Sequence, residues 1–237
     1  MSRRVVLFID LDNTLIKNPL GFSVLPKVYR FLSDSLGVDY ERAIELFKEV
    51  HLEIFLRDPL RSFDWDFIVE EILRRYSIKK SFSVLEEQLR SCEKAYLLGD
   101  IIETLRKLEE KSYLMILSTN GLLKYQKCLI ERLGLERSFN LIFTPDIRGC
   151  IKSMKCFYEL HSLEDEYTRI AIGDDILFDV YYPCMYNMKT IHIKRYNITK
   201  HMYLEKLNIN PNIIKANATI DDFNLVPSII DNLIDNR

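Results

Sequence analysis

Residues 5–14 read VVLFIDLDNT, an apolar run that ends on two carboxylates, Asp10 and Asp12, one residue apart. The β-branched content and the continuous apolar character of Val5–Ile9 read as a strand buried on both faces. Side chains in a strand alternate faces, so a strand continuing through Asp12 would hold both carboxylates on the same side. Like charges that close repel each other and resist loss of water. Something must compensate them, and the rest of the chain has to supply it.

Similar apolar runs recur at Tyr113–Leu117, Leu141–Phe143, Arg169–Ile172 and Thr190–Ile193. Between them the spacing turns helical. Leu122, Tyr125, Leu129 and Leu133 fall on one face with Gly134 as a stop, and Ile101, Leu105 and Leu108 do the same. Strands alternating with helices predict an α/β fold, a Rossmann-like parallel sheet with helices on both faces. One interval breaks the alternation. Within residues 18–97 the apolar positions (Ile44, Phe47, His51 and Phe55, for example) keep helical spacing throughout. The expected organisation is an α/β core of residues 1–17 and 98–237, with an all-helical module, residues 18–97, inserted after the first strand. A closing helix is expected in DDFNLVPSIIDNLID, capped by Asp221 or Asp222.

The chain has 237 residues, 48% hydrophobic and 29% charged, which is the balance of a soluble globular protein. A net charge of -2 and a pI near 6.1 give no electrostatic case for nucleic acid or an anionic membrane. No apolar run approaches the roughly 20 residues that span a bilayer. The start, MSRRVVLFIDLDN, is cut by Asp10 after a short apolar run and does not read as a signal peptide. The five cysteines form no CxxC pair and are expected to be reduced, packed thiols of a cytoplasmic protein. His161, His192 and His201 show no metal-ligand spacing, and His51 is expected to pack on the apolar face of its helix.

Ligands of open parallel sheets gather at the carboxyl ends of the strands. The first run ends in Asp10-Leu11-Asp12-Asn13-Thr14 and the second in Ser118-Thr119-Asn120-Gly121. The third leads through TPDIRGC to Lys152, and the fourth ends in Gly173-Asp174-Asp175, with Asp179 beyond. These ends together supply carboxylates, a hydroxyl, an amide and a lysine, the makings of a site for both a cation and an anion.

DLDNT, the hydroxyl of STNG, a lysine and GDDILFD, in that order, resemble the four motifs of the haloacid dehalogenase-like superfamily of phosphohydrolases. The helical block sits where one subgroup of that family carries a helical cap. The resemblance implies a Mg²⁺-dependent phosphatase that hydrolyses a small soluble phosphomonoester through an aspartyl-phosphate. It assigns Asp10 as nucleophile, Asp12 as general acid and base, and Lys152 with Thr119 as ligands of the phosphoryl group. Asn120, Arg57 and Arg61 are further candidates for substrate binding. It assigns the metal to Asp10, Asp12 (through its carbonyl) and Asp174, supported by Asp175 and Asp179. Ser118 competes with Thr119, and Lys155 with Lys152. The family usually has proline after this lysine, whereas Ser153 follows here. Dehalogenases of the superfamily lack the second aspartate, because a halide leaving group needs no proton, so Asp12 favours phosphoryl chemistry. The same motifs also serve phosphomutases, and the fold alone is compatible with a noncatalytic protein that binds phosphometabolites. No nucleic-acid or membrane partner is expected, and the state is a monomer or homodimer.

Overall fold

A computed structural model describes residues 5–160, 167–195 and 201–235. The start of the chain, through Arg4, and His161 lie outside the described residues. Val5–Ile9 forms the first strand (β1), buried at every position. It pairs in parallel with Leu114–Ser118 (β2) on one side and, across the sheet, with Thr168–Gly173 (β4) on the other. Leu141–Phe143 (β3) lies outside β2, while Lys189–Ile193 (β5) and Ala218–Ile220 (β6) extend the far side. The order β3-β2-β1-β4-β5-β6 is that of a doubly wound α/β sheet, parallel throughout. Its direction of winding reverses between β1 and β4, where the crevice of such a sheet opens.

Register decides what meets at that crevice. Ile9 stands opposite Leu117 on β2 and Ile172 on β4. The next residue on each strand is therefore Asp10, Ser118 and Gly173, brought level by the apolar pairing beneath them. Phe8 packs edge-on to Tyr158, with ring centres 5.2 Å apart, within a cluster that includes Val6, Ile116, Phe143, Phe157 and Ala171. A short antiparallel ribbon pairs Ile16–Lys17 with Tyr96–Leu97. The closing helix is Val226–Asp235, and Asp222 accepts the Asn224 amide in the turn that leads into it.

Contacts divide the chain into two units, 1–17 with 96–120 and 133–237, and 18–95 with 121–132. The second holds helices Leu25–Leu36, Tyr40–Arg57, Trp65–Arg75 and Val84–Ser91. Asp39, Asp64 and Ser83 cap three of them by accepting backbone amides of the first turn. Gly37, at φ +67, ends the first helix in the left-handed conformation that glycine tolerates best. Residues 121–132, expected with the sheet, group with these helices instead. The cause is visible in the packing: Leu122 and Tyr125 join a cluster with Val28, Phe47, Ile68 and Ile72. Residues 96 and 97, expected with the helices, belong to the sheet unit through their ribbon with Ile16 and Lys17.

The cysteine expectation is corrected. Cys150 and Cys156 form a disulfide, while Cys92, Cys128 and Cys184 remain thiols. The loop between the pair turns back until their Cα atoms are 6.2 Å apart, within the span a disulfide bridges. Among the described residues no helix is long and apolar enough to cross a membrane.

Candidate active site

Asp10 follows the last residue of β1 and donates its amide to the Ile172 carbonyl at 2.8 Å, so its backbone continues the sheet while its carboxylate leaves it. The strand itself stops at Ile9. The chain then folds into a tight turn: the Leu15 and Ile16 amides reach the Leu11 carbonyl, and the Asn13 amide reaches the Ile16 carbonyl. Asp12 sits at the start of that turn, bridged to Ile16.

Lys152 joins the strand ends. Its ammonium lies 2.6 Å from Asp10 Oδ1 and 2.6 Å from Asp179 Oδ1, with only 2% of the side chain exposed. Its amide donates to Asn120 Oδ1 at 3.0 Å, which ties the lysine loop to the end of β2. Lys155 is exposed and begins a separate turn, so Lys152 is the lysine the fold brings to Asp10. Thr119 is buried, and its amide donates to the Phe143 carbonyl at 3.0 Å. Ser118, equally buried, ends β2.

Asp179 approaches the end of β4 so closely that a Cβ on Gly173 would lie 2.2 Å from its Oδ2. Glycine at that position is therefore a steric requirement of the carboxylate's placement. Asp179 Oδ2 also accepts the Asp175 amide at 3.1 Å. Asp10, Asp174 and Asp179 each present an oxygen, all within 4.8 Å of one another.

Burial pushes the Asp10 carboxyl above its ordinary value, and Lys152 opposes the push without cancelling it. Burial, then the charges of Asp10 and Asp179, push Asp174 up in the same direction. Burial raises Asp179 as well, again against the pull of Lys152. On Lys152, burial acts to lower the pKa, but Asp10 and Asp179 together outweigh it and hold the ammonium charged. Among the described residues, one ammonium thus faces three carboxylates, Asp10 and Asp179 buried and Asp174 half-buried. A hard dication with oxygen ligands fits this donor set and would relieve the surplus negative charge.

Asp175 is turned to other work. Its Oδ1 accepts the Leu177 and Phe178 amides at 2.8 and 3.0 Å, capping the helical turn that delivers Asp179. Its Oδ2 lies 3.3 Å from His201 Nε2. Burial would raise its pKa, but the His201 contact and the two amides overcome that and lower it. Asp175 thus stands outside the carboxylate cluster that was expected to include it. Arg57 and Arg61 belong to the helical unit. Both are exposed, and Arg61 pairs with Asp58 at 3.5 Å and lies over the Phe67 ring.

Sequence reasoning missed two side chains. His201 had no motif to announce it, only an aspartate across the fold. The other is Arg195, whose guanidinium donates to the carbonyls of Asn13, Thr14 and Asp221. Backbone carbonyls leave no trace in a sequence pattern.

No family model matches the chain, and no curated protein matches it. Solved structures do. A HAD phosphatase from Thermococcus onnurineus is 25% identical, with a TM-score of 0.72 over 95% of this chain and 97% of its own. A HAD-hydrolase, YfnB from Bacillus subtilis, solved bound to magnesium, is 16% identical, with a TM-score of 0.63 over 97% and 100%. An L-2-haloacid dehalogenase from Xanthobacter autotrophicus is 14% identical, with a TM-score of 0.61 over 96% and 98%. The parallel sheet, the strand-end carboxylates with their lysine and these likenesses agree: the chain belongs to the haloacid dehalogenase-like superfamily of hydrolases.

Proposed function

We propose that the protein is a Mg²⁺-dependent phosphatase acting on a small phosphomonoester. The observation that carries this reading is the Lys152 ammonium set between Asp10 and Asp179, beside Asp174, at the ends of adjacent strands. A carboxylate nucleophile is repelled by a phosphate dianion unless positive charge stands between them. Lys152 supplies a fixed positive charge there, buried and therefore little screened. Asp10, Asp174 and the Asp12 carbonyl would hold Mg²⁺, with Asp179 in support, and the ion when bound neutralises further charge on the phosphoryl oxygens.

Asp10 Oδ attacks phosphorus in line and forms the aspartyl-phosphate as the bond to the ester oxygen breaks. Asp12, protonated at that point, gives its proton to the leaving alkoxide. It then takes a proton from the water that attacks phosphorus, which frees inorganic phosphate and restores Asp10. Acid–base help of this kind is worth about 10²–10⁴-fold. Thr119 and Asn120 would receive phosphoryl oxygens, and the Lys152 amide, by donating to Asn120 Oδ1, holds that side chain in place. Arg57 and Arg61 are proposed to meet the rest of the substrate, and residues 18–97 to act as the cap that selects it by size.

Dehalogenases share the fold, but Asp12 separates the readings, because a halide departs without a proton. Hydrolysis of 4-nitrophenyl phosphate with Mg²⁺ and with EDTA tests the proposal. A Mg²⁺-dependent rate that Asp10→Asn abolishes supports it. Chloride release from a 2-haloacid, with no phosphate released from any ester, overturns it. A rate that needs a catalytic bisphosphate would move the assignment to phosphomutase.

A further inference from the structure

Arg195 stands two residues beyond β5, on a backbone anchored by the Lys194 amide, which donates to the Ile220 carbonyl at 2.6 Å. Its guanidinium donates to three main-chain oxygens among the described residues. Nε donates to the Asn13 carbonyl at 3.1 Å and Nη2 to the Thr14 carbonyl at 3.2 Å, so one edge of the fork takes two successive carbonyls. Nη1 donates to the Asp221 carbonyl at 3.1 Å. A planar guanidinium can hold three acceptors at fixed angles, which an ammonium cannot do.

The two carbonyls it grips belong to the turn that begins at Asp12. Asn13 adopts φ +57, a left-handed conformation that costs energy for a residue with a side chain. Its side chain is held by Lys17 Nζ at 3.1 Å and its amide by the Ile16 carbonyl. Turns that carry reacting groups lose rate when displaced by about an ångström. Arg195 fixes the side of this turn that its own internal hydrogen bonds leave open.

We propose that Arg195 is a positioning residue for Asp12, clamping the carbonyls of Asn13 and Thr14 so that the acid–base carboxylate keeps its place. The inference rests on the phosphatase reading and deepens it. Asp12 matters most when the leaving group is a strong base, and 4-nitrophenolate departs without a proton. Loss of the clamp should therefore depend on the ester.

Arg195→Ala and Arg195→Lys are compared with wild type on an alkyl phosphate and on 4-nitrophenyl phosphate, each with Mg²⁺. The expected result for Arg195→Ala is a fall in kcat about tenfold or more larger on the alkyl ester, with KM little changed. Arg195→Lys, which keeps the charge and loses the fork, should recover only part of it. Equal losses on the two esters in both variants would make Arg195 merely structural and overturn the proposal. Amide hydrogen exchange gives a second reading that needs no activity. Exchange at Asn13, Leu15 and Ile16 should quicken in Arg195→Ala, and unchanged exchange there also overturns the clamp. A wild type silent on every ester would sink the phosphatase reading instead, leaving exchange to decide the clamp alone.

Discussion

Two clusters in this molecule each set aspartates around a lysine, one part-exposed and one buried, and they compensate their charge in opposite ways. In the helical unit, Asp64 Oδ1 receives the Phe67 amide, Lys124 Nζ at 2.8 Å and the Tyr125 hydroxyl at 2.9 Å. Asp66 receives the Val84 amide on one oxygen and the Tyr125 hydroxyl, at 2.7 Å, on the other. The Tyr125 oxygen in turn accepts the Asp66 amide. Each carboxylate there caps a helix, and Lys124 keeps contact with water. At the strand ends, by contrast, Asp10, Asp174 and Asp179 crowd within 4.8 Å around a single ammonium. The first cluster is complete by itself. The second carries surplus negative charge that costs stability unless a ligand arrives, and such uncompensated charge is what marks a site rather than a scaffold.

The strongest way to break that contrast is to neutralise members of the second cluster. Asp10→Asn should lower kcat by about 10⁴-fold or more, as loss of a nucleophile does. Asp174→Asn should abolish most of the Mg²⁺-dependent rate while raising the thermal midpoint measured without metal, since it removes a carboxyl whose ionised form is disfavoured by burial and by the charges of Asp10 and Asp179. Mg²⁺ at about a hundredfold excess over its Kd should stabilise wild type by about 3 kcal/mol. The same addition should do much less for Asp174→Asn. An Asp174→Asn protein that melts lower than wild type in EDTA would show that the cluster is not strained by its own charge.

Much of this site was legible because polar residues at the ends of apolar runs have few structural reasons to be there. Asp10, Lys152, Asp174 and Asp179 were read in that way: the parallel register brings the ends of β1 and β4 level, and Lys152 reaches Asp10 and Asp179 from its own loop. What stayed hidden depended on partners distant in sequence. Asp175 looked like a metal ligand beside Asp174, yet its oxygens go to two amides and His201. The Cys150–Cys156 bridge is set by how the Lys152 loop turns, and a spacing of six carries no signal for that. The edge strand Ala218–Ile220 is only three residues long, with its central residue exposed, so no apolar run betrays it. Tyr125 was read as one apolar face residue among four. Its ring is buried as expected, but its hydroxyl organises the aspartate cluster that the spacing did not foretell.

His51 sharpens the comparison from the side of the helical unit, because it is a titratable group buried neutral. Its ring packs edge-on to Trp65 and Phe63, with centres 5.1 and 6.1 Å away. Burial lowers its pKa from 6.5 to about 4. Between those values the unfolded chain binds a proton that the folded chain refuses, so stability is intact above pH 6.5 and falls as pH drops toward 4. The full loss is about 3 kcal/mol, from 1.36 kcal/mol per unit. Urea midpoints at pH 7 and pH 4.5 should converge in His51→Gln relative to wild type. An unchanged difference would assign the acid sensitivity to carboxylates elsewhere.

The smallest effect separates scaffold from site most cleanly. Tyr125→Phe keeps the buried ring and deletes only the hydroxyl that the Asp64 and Asp66 carboxylates share. A hydroxyl has one proton, so at any moment it donates to one of them, and the other relies on its remaining donors. Lys124 and the Phe67 amide stay with Asp64, and the Val84 amide stays with Asp66. The Asp66 amide, which donates to the tyrosine oxygen, loses its acceptor and has to find water. Together these changes should cost about 2 kcal/mol, the range for a hydrogen bond to a charged group. Phosphatase activity below the unfolding transition should stay within about twofold of wild type, because nothing in this cluster is asked to react. A Tyr125→Phe protein that keeps its stability but loses activity would reverse the roles of the two clusters, and the surplus-charge criterion would fail with it.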